Sequence, residues 1–135
     1  MYKILFFLAL TLPCSLIAQT KPGKFEIITG LFENKYLVDN QKMTRFAANN
    51  HLQAHDMGAA EYFYTAKQFD NSFYFFSLLS IIGACVGSTS NDPDLRMAGN
   101  RVAVGAAATS IVCVFIANHN EKKAKKHYNL KFGYQ

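Results

Sequence analysis

The sequence predicts a mainly α protein: a signal peptide, a short β-hairpin element, and an amphipathic helix that continues into a transmembrane helical hairpin. Three observations predict it. The N-terminus reads as a secretory leader, residues 72–90 and 102–117 are free of charged side chains, and strand formers with turn residues fill the stretch between. The expected organisation is a signal peptide at 1–19, an exported β/helical region at 20–70, membrane helices at 71–90 and 99–118 around a loop at 91–98, and a basic tail at 119–135.

The leader has Lys3 as a minimal positive region, an apolar core at 4–12, and Leu16-Ile17-Ala18-Gln19 as a small-residue cleavage context, so cleavage is expected after Ala18 or Gln19. Cys14 is a poor lipidation site, because Pro13 precedes it and Thr11 stands where Leu is wanted. The apolar core is also shorter than a spanning helix needs, which argues against an uncleaved anchor. Export is expected to place the protein in a cell envelope with the mature N-terminal region periplasmic.

Beyond the leader, Phe25-Glu26-Ile27-Ile28 and Lys35-Tyr36-Leu37-Val38 are strand-like, and Asp39-Asn40 can supply the positive φ of a tight turn before Gln41-Lys42-Met43. Thr44 is placed to cap a helix to about Leu52, and Asp56 a second one after a break near residues 51–55. Tyr62, Ala66, Phe69, Phe73 and Phe76 recur at three and four, so one stripe is expected to run from the exported helix into the membrane.

The first apolar stretch is about 28 Å long as a helix and opens with Phe73-Tyr74-Phe75-Phe76, an aromatic belt suited to a headgroup boundary. The second reaches about 24 Å and begins beside Arg101, which would have to snorkel. Small residues recur along both, including Gly83, Gly87, Gly99, Ala103, Gly105 and Ala107. In lipid such faces let backbones approach and gain dispersion contact. Packing of the hairpin's own helices is the simplest use, and a homo-oligomer is a second. Folding the chain near residue 93 leaves Cys85 and Cys113 about 18 Å apart in depth, too far for a disulfide.

The net charge is +5. Acidic and basic side chains balance in residues 20–72 and again between the apolar stretches, so the excess lies in the tail, with Lys122, Lys123, Lys125 and Lys126. These lysines suit the surface of a lipid bilayer. Nucleic acid is not an expected partner, since aromatic residues do not interleave with the lysines. A hairpin behind a cleaved signal puts this basic end outside, against the positive-inside tendency. Dominance of the signal, a second segment that does not span, or residence in the outer membrane would each resolve the conflict, and the first is preferred.

Tyr36, Asp39, Lys42, Thr44, Ala60, Tyr64, Ala66, Lys67, Gly83, Gly87, Gly105, Asn118, Lys122, Lys123, Ala124, Tyr128 and Asn129 together resemble a family of small exported bacterial membrane proteins of unknown function. Its pattern has Gly in the turn where this chain has Asn40. The resemblance implies a topology and no activity.

The strongest case for chemistry is His51-Leu52-Gln53-Ala54-His55-Asp56, where two histidines four apart share a helix face. A third protein ligand is missing, so no metal and no cofactor are expected. No serine sits in a nucleophile elbow, and no glycine run follows a strand and opens a helix. The expectation is a non-catalytic, membrane-anchored interaction or scaffold protein with an envelope protein partner. The alternative is a small oligomeric channel-like or membrane-permeabilising protein.

Overall fold

Strands β1 (Phe25–Ile28), β2 (Lys35–Val38) and β3 (Gln41–Met43) precede helices α1 (Arg45–His55), α2 (Met57–Thr89) and α3 (Pro93–Lys131). This computed structural model describes residues 21–30 and 34–134. The expected signal segment, with Cys14, lies outside the described residues. The observed class is the one expected: mainly helical, with a small sheet leading into a long helical hairpin.

The strands form one antiparallel sheet in the order β1-β2-β3, with Phe25 opposite Val38 and Tyr36 opposite Met43. Asp39 and Asn40 have φ of 48° and 64°, the two positive values that a tight hairpin turn requires and that Asp and Asn tolerate. Asp39 also ties the turn to β1. Its carboxylate accepts from the Lys24 N–H at 2.8 Å, and its own N–H donates to the Lys24 carbonyl at 3.1 Å.

Each helix starts at a side-chain cap. The Thr44 hydroxyl accepts from the Ala47 N–H at 3.2 Å, and the Asp56 carboxylate accepts from the Gly58 N–H at 3.1 Å. α1 runs one turn past Leu52 to His55, because the Asp56 N–H still donates to the Leu52 carbonyl before the backbone turns extended. The break therefore falls on Asp56, after the histidines.

Two expected boundaries are corrected at the third helix. The loop at 91–98 is largely helical: Asp92 accepts from the Asp94 N–H at 2.9 Å, and Pro93 opens α3 with its φ already suited to a helix. The tail at 119–135 is mostly the continuation of α3, which reaches Lys131. Ala106, Ser110, Cys113, Ala117, Glu121, Ala124 and Tyr128 are all buried, at spacings of three or four. One face thus stays turned toward the rest of the protein along most of the helix.

The core lies where the strands meet the C-terminal part of α3. Phe25 and Tyr36 from the sheet, Ala48 and Leu52 from α1, Ala59, Ala60 and Phe63 from α2, and Ala124 and Tyr128 from α3 form one cluster, hereafter the head. Its aromatic rings meet edge to face: Phe25–Phe63 at 6.2 Å, Phe25–Tyr128 at 5.8 Å and Tyr36–Phe63 at 5.2 Å between centroids. The Asn129 side chain closes the edge of β1, accepting from the Phe25 N–H at 3.1 Å and donating to its carbonyl at 2.9 Å. The buried residues in the first third of α2 are Ala59, Ala60, Phe63 and Ala66, the first three within the head. The expected stripe began at Tyr62, which is exposed.

Farther from the head, only hairpin residues are buried: Gly83 and Gly87 on α2, then Gly99, Ala106, Ser110, Cys113 and Ala117 on α3. Both helices are long and apolar enough to cross a membrane. In their most apolar windows only 11% of α2 and 22% of α3 is buried, far less than the core helix of a soluble protein would be.

Candidate functional site

The residues with a specific job fall into two groups, the seam of the hairpin and a polar cluster at the neck where hairpin and head join. At the seam the backbones themselves touch. A Cβ on Gly83 would lie 2.7 Å from the Ala103 nitrogen and 2.8 Å from the Gly99 carbonyl oxygen, and one on Gly99 would lie 2.5 Å from the Gly87 nitrogen. Side chains cannot fit at this spacing, which is the physical reason that three glycines meet here. The Ser80 hydroxyl donates across the seam to the Ala103 carbonyl at 2.9 Å.

The structure therefore brings together Gly83, Gly87, Gly99 and Ala103. It does not bring in Gly105, which is exposed and has nothing within 4 Å of a built Cβ. Ala107 is half-buried, and its carbonyl accepts from the Ser110 hydroxyl at 2.8 Å. Thr109 likewise donates to the Gly105 carbonyl at 2.9 Å, so the two hydroxyls of α3 are bound to their own helix. Cys85 and Cys113 are both free thiols, Cys85 exposed and Cys113 buried.

At the neck, Glu121 is 2% exposed. A carboxylate taken from water needs partners, and four elements supply or support them. Tyr36 on β2 donates its hydroxyl to Oε1 at 2.8 Å, Asn34 donates its amide to Oε2 at 2.5 Å, and Arg45 at the start of α1 donates from Nη2 to Oε1 at 3.1 Å. Arg45 also pairs with Asp70 on α2 and covers the Phe63 ring. One guanidinium thus joins α1, α2 and α3. Burial pushes the Glu121 carboxyl above its usual range, against the pull of Tyr36, Arg45 and Asn34. The Tyr36 phenol is pushed far up, by burial first and by the Glu121 charge second, so it stays a donor.

A second polar contact clamps the helix break. Asp56, 3% exposed, pairs through Oδ2 with His127 Nδ1 at 2.8 Å and through Oδ1 with Lys131 Nζ at 3.6 Å. Burial raises its pKa, but the bonds from His127 and the Ala59 backbone and the His127 and Lys131 charges outweigh it and leave the carboxyl below its usual range. His51 Nε2 lies 2.7 Å from the Tyr128 hydroxyl, and its ring is 4.7 Å from that of His55. Among the described residues no group of three or more His, Cys, Asp or Glu side chains could hold a metal ion. His51 joins α1 to α3 through Tyr128, while the His55 side chain is exposed.

Lys122, Lys123 and Lys126 are exposed and Lys125 is half-buried, on the outer face of the helix whose inner face carries Glu121, Ala124 and Tyr128. Lys123 reaches over the Tyr62 ring at 5.7 Å. Glu121 and Arg45 were not singled out from sequence, and Asn129 was named only among the residues of the resemblance. The signal for Glu121 was available, because it continues the four-and-three spacing of Ala106, Ser110, Cys113 and Ala117 through the lysines.

Fold and seam define a small helical protein with two apolar helices long enough to span a membrane, joined to a folded head. No family model, curated protein or solved structure matches the chain, so the resemblance noted above rests on the quoted residues alone.

Proposed function

We propose that this is a membrane-anchored interaction or scaffold protein of the bacterial cell envelope, without catalytic activity, whose head stands on the periplasmic side and contacts an envelope protein. The observation that carries the reading is the uncovered apolar surface of the distal hairpin. Tyr74, Phe75, Leu78, Ile81, Ile111 and Phe115 are each more than half exposed, on helices that cover only each other. In water that surface would drive aggregation, and in a bilayer it is solvated.

The head supports an interaction role. Its buried carboxylates Asp56 and Glu121 are engaged in holding the helices together, while Phe46 and Met57, 74% and 72% exposed, face outward without packing partners in the core. A scaffold agrees with the seam better than a channel does, because Thr109 and Ser110 are bonded along their own helix. The basic stretch is part of the folded head, so its side of the membrane follows the sheet. This supports a signal-determined topology, with the outer membrane as the alternative host. Second copies of the chain are further candidate partners.

Carbonate extraction of membranes from expressing cells tests the reading. The protein should stay in the pellet and leave it only with detergent, whereas release by carbonate would overturn the integral anchor.

A further inference from the structure

The free end of the hairpin carries a groove of about 730 Å³ along α3 beside the turn, reaching the seam only at Asn100, which lies against Gly87, and this volume is within the range of about 300–1,000 Å³ usual for small-molecule sites. It is lined by Arg96, Met97, Asn100, Arg101, Val104 and Gly105, together with the turn. At about 100° per residue Met97, Asn100 and Val104 lie along its middle, and Arg96 and Arg101 stand on either side. The groove is graded in polarity. Its charged and amide side chains sit toward the turn, and Val104 and Gly105 lie at its inner end, Gly105 about 18 Å along the axis from Pro93.

The charges at the groove are cationic. Arg101 has no ion-pair partner among the described residues, and Arg96 holds only the Ser90 carbonyl, at 3.3 Å. Asp92 is turned into the helix cap, and neither it nor Asp94 lines the groove. At Gly105 the missing side chain leaves open space where an adjacent alkyl chain can lie against the backbone. Two guanidinium groups at headgroup depth above an apolar slot match one molecule class end to end.

The geometry points to a binding site for an anionic glycerophospholipid, with the phosphate held between Arg96 and Arg101 and an acyl chain laid along Val104 and Gly105. This rests on the membrane-anchored reading and deepens it. Every exposed helix face touches lipid, but this groove selects the headgroup and retains the molecule. Because the turn and the head lie at opposite ends of the hairpin, the selected lipid belongs to the leaflet away from the head.

Native mass spectrometry of the full chain, released from nanodiscs containing equal phosphatidylglycerol and phosphatidylcholine, tests the site. The wild type should carry one phosphatidylglycerol. Combined Arg96→Gln and Arg101→Gln should weaken its retention about thirtyfold, the equivalent of about 2 kcal/mol at about 1 kcal/mol per basic group. Gly105→Leu should lower retention of either lipid while keeping both charges, and Lys35→Gln with Lys42→Gln, on the sheet of the head, should change nothing. Equal retention of the two lipids, or retention unchanged in the double arginine variant, would overturn the site. Inorganic phosphate displacing the lipid in the wild type would show a phosphate site without lipid selection and would equally overturn it. Carbonate extraction of each variant keeps the outcomes separate: release from membranes would refute the anchor, whereas an integral protein without lipid preference refutes only this site.

Discussion

Gly99→Ala and Gly105→Ala make the same chemical change six residues apart on one helix, and the seam geometry predicts opposite results. At Gly99 the new methyl carbon would lie 2.5 Å from the Gly87 nitrogen, 2.8 Å from the Gly83 carbonyl oxygen and 3.0 Å from the Gly87 Cα, all backbone atoms. Ordinary contact needs several tenths of an ångström more at each, so the helices must separate and the Ser80–Ala103 bond must lengthen. Overpacking of this kind costs about 1–3 kcal/mol. The better helix propensity of Ala, at most about 1 kcal/mol, offsets part of that cost. At Gly105 nothing lies within 4 Å, so only the propensity gain remains. Thermal unfolding in mild detergent, followed by circular dichroism, should show Gly99→Ala melting lower by several degrees, at about 3–6 °C per kcal/mol for a chain of this size. Gly105→Ala should melt at or above the wild type. Equal shifts for the two variants would refute backbone contact at the seam.

Three further outcomes follow from the head. Glu121→Ala strands the Tyr36 hydroxyl and one arm of Arg45 and should cost about 1–3 kcal/mol in denaturant unfolding, with Glu121→Gln milder because it can still accept from Tyr36. Burial first, and the neighbouring His55 second, hold the His51 pKa below its usual value, so the unfolded chain takes up the proton more readily. The His51 contribution to stability is therefore present above about pH 6.5 and lost as pH falls through the depressed folded value, and His51→Gln should flatten that part of the melting-temperature profile. Truncation after Asn118 removes Glu121, Ala124, Tyr128 and Asn129 from the core, and the remaining head should lose its protection from protease; a detachable tail would leave it intact.

The short-range features of the fold were legible because single residues carry them. Asp39-Asn40 can take positive φ where larger side chains resist it, and Thr44 and Asp56 each cap a helix with their own oxygen. The C-terminal stretch was misread because its composition and its periodicity point different ways. The lysines at 122, 123, 125 and 126 suggest a solvated end, while Ala117, Glu121, Ala124 and Tyr128 continue the buried stripe between them. A lysine-rich outer face hides a core face whenever the inner residues are small or charged. Gly105 was grouped with the seam glycines as a small residue, yet it projects from another side of α3 than Gly99. The neck was illegible for a different reason. Asn34, Tyr36 and Arg45 are far along the chain from Asp70 and Glu121, and no local spacing announces that one guanidinium will hold two carboxylates.

The central claim is a hairpin that crosses a membrane with the head at one end and the turn at the other. In a background lacking Cys85 and Cys113, cysteines introduced by Asn91→Cys at the turn and Lys123→Cys on the head can be labelled in intact and permeabilised cells with a membrane-impermeant maleimide. Labelling of the two positions from opposite sides is the expected result, with the head position reached first from the periplasm. Labelling of both from the same side would contradict the spanning hairpin.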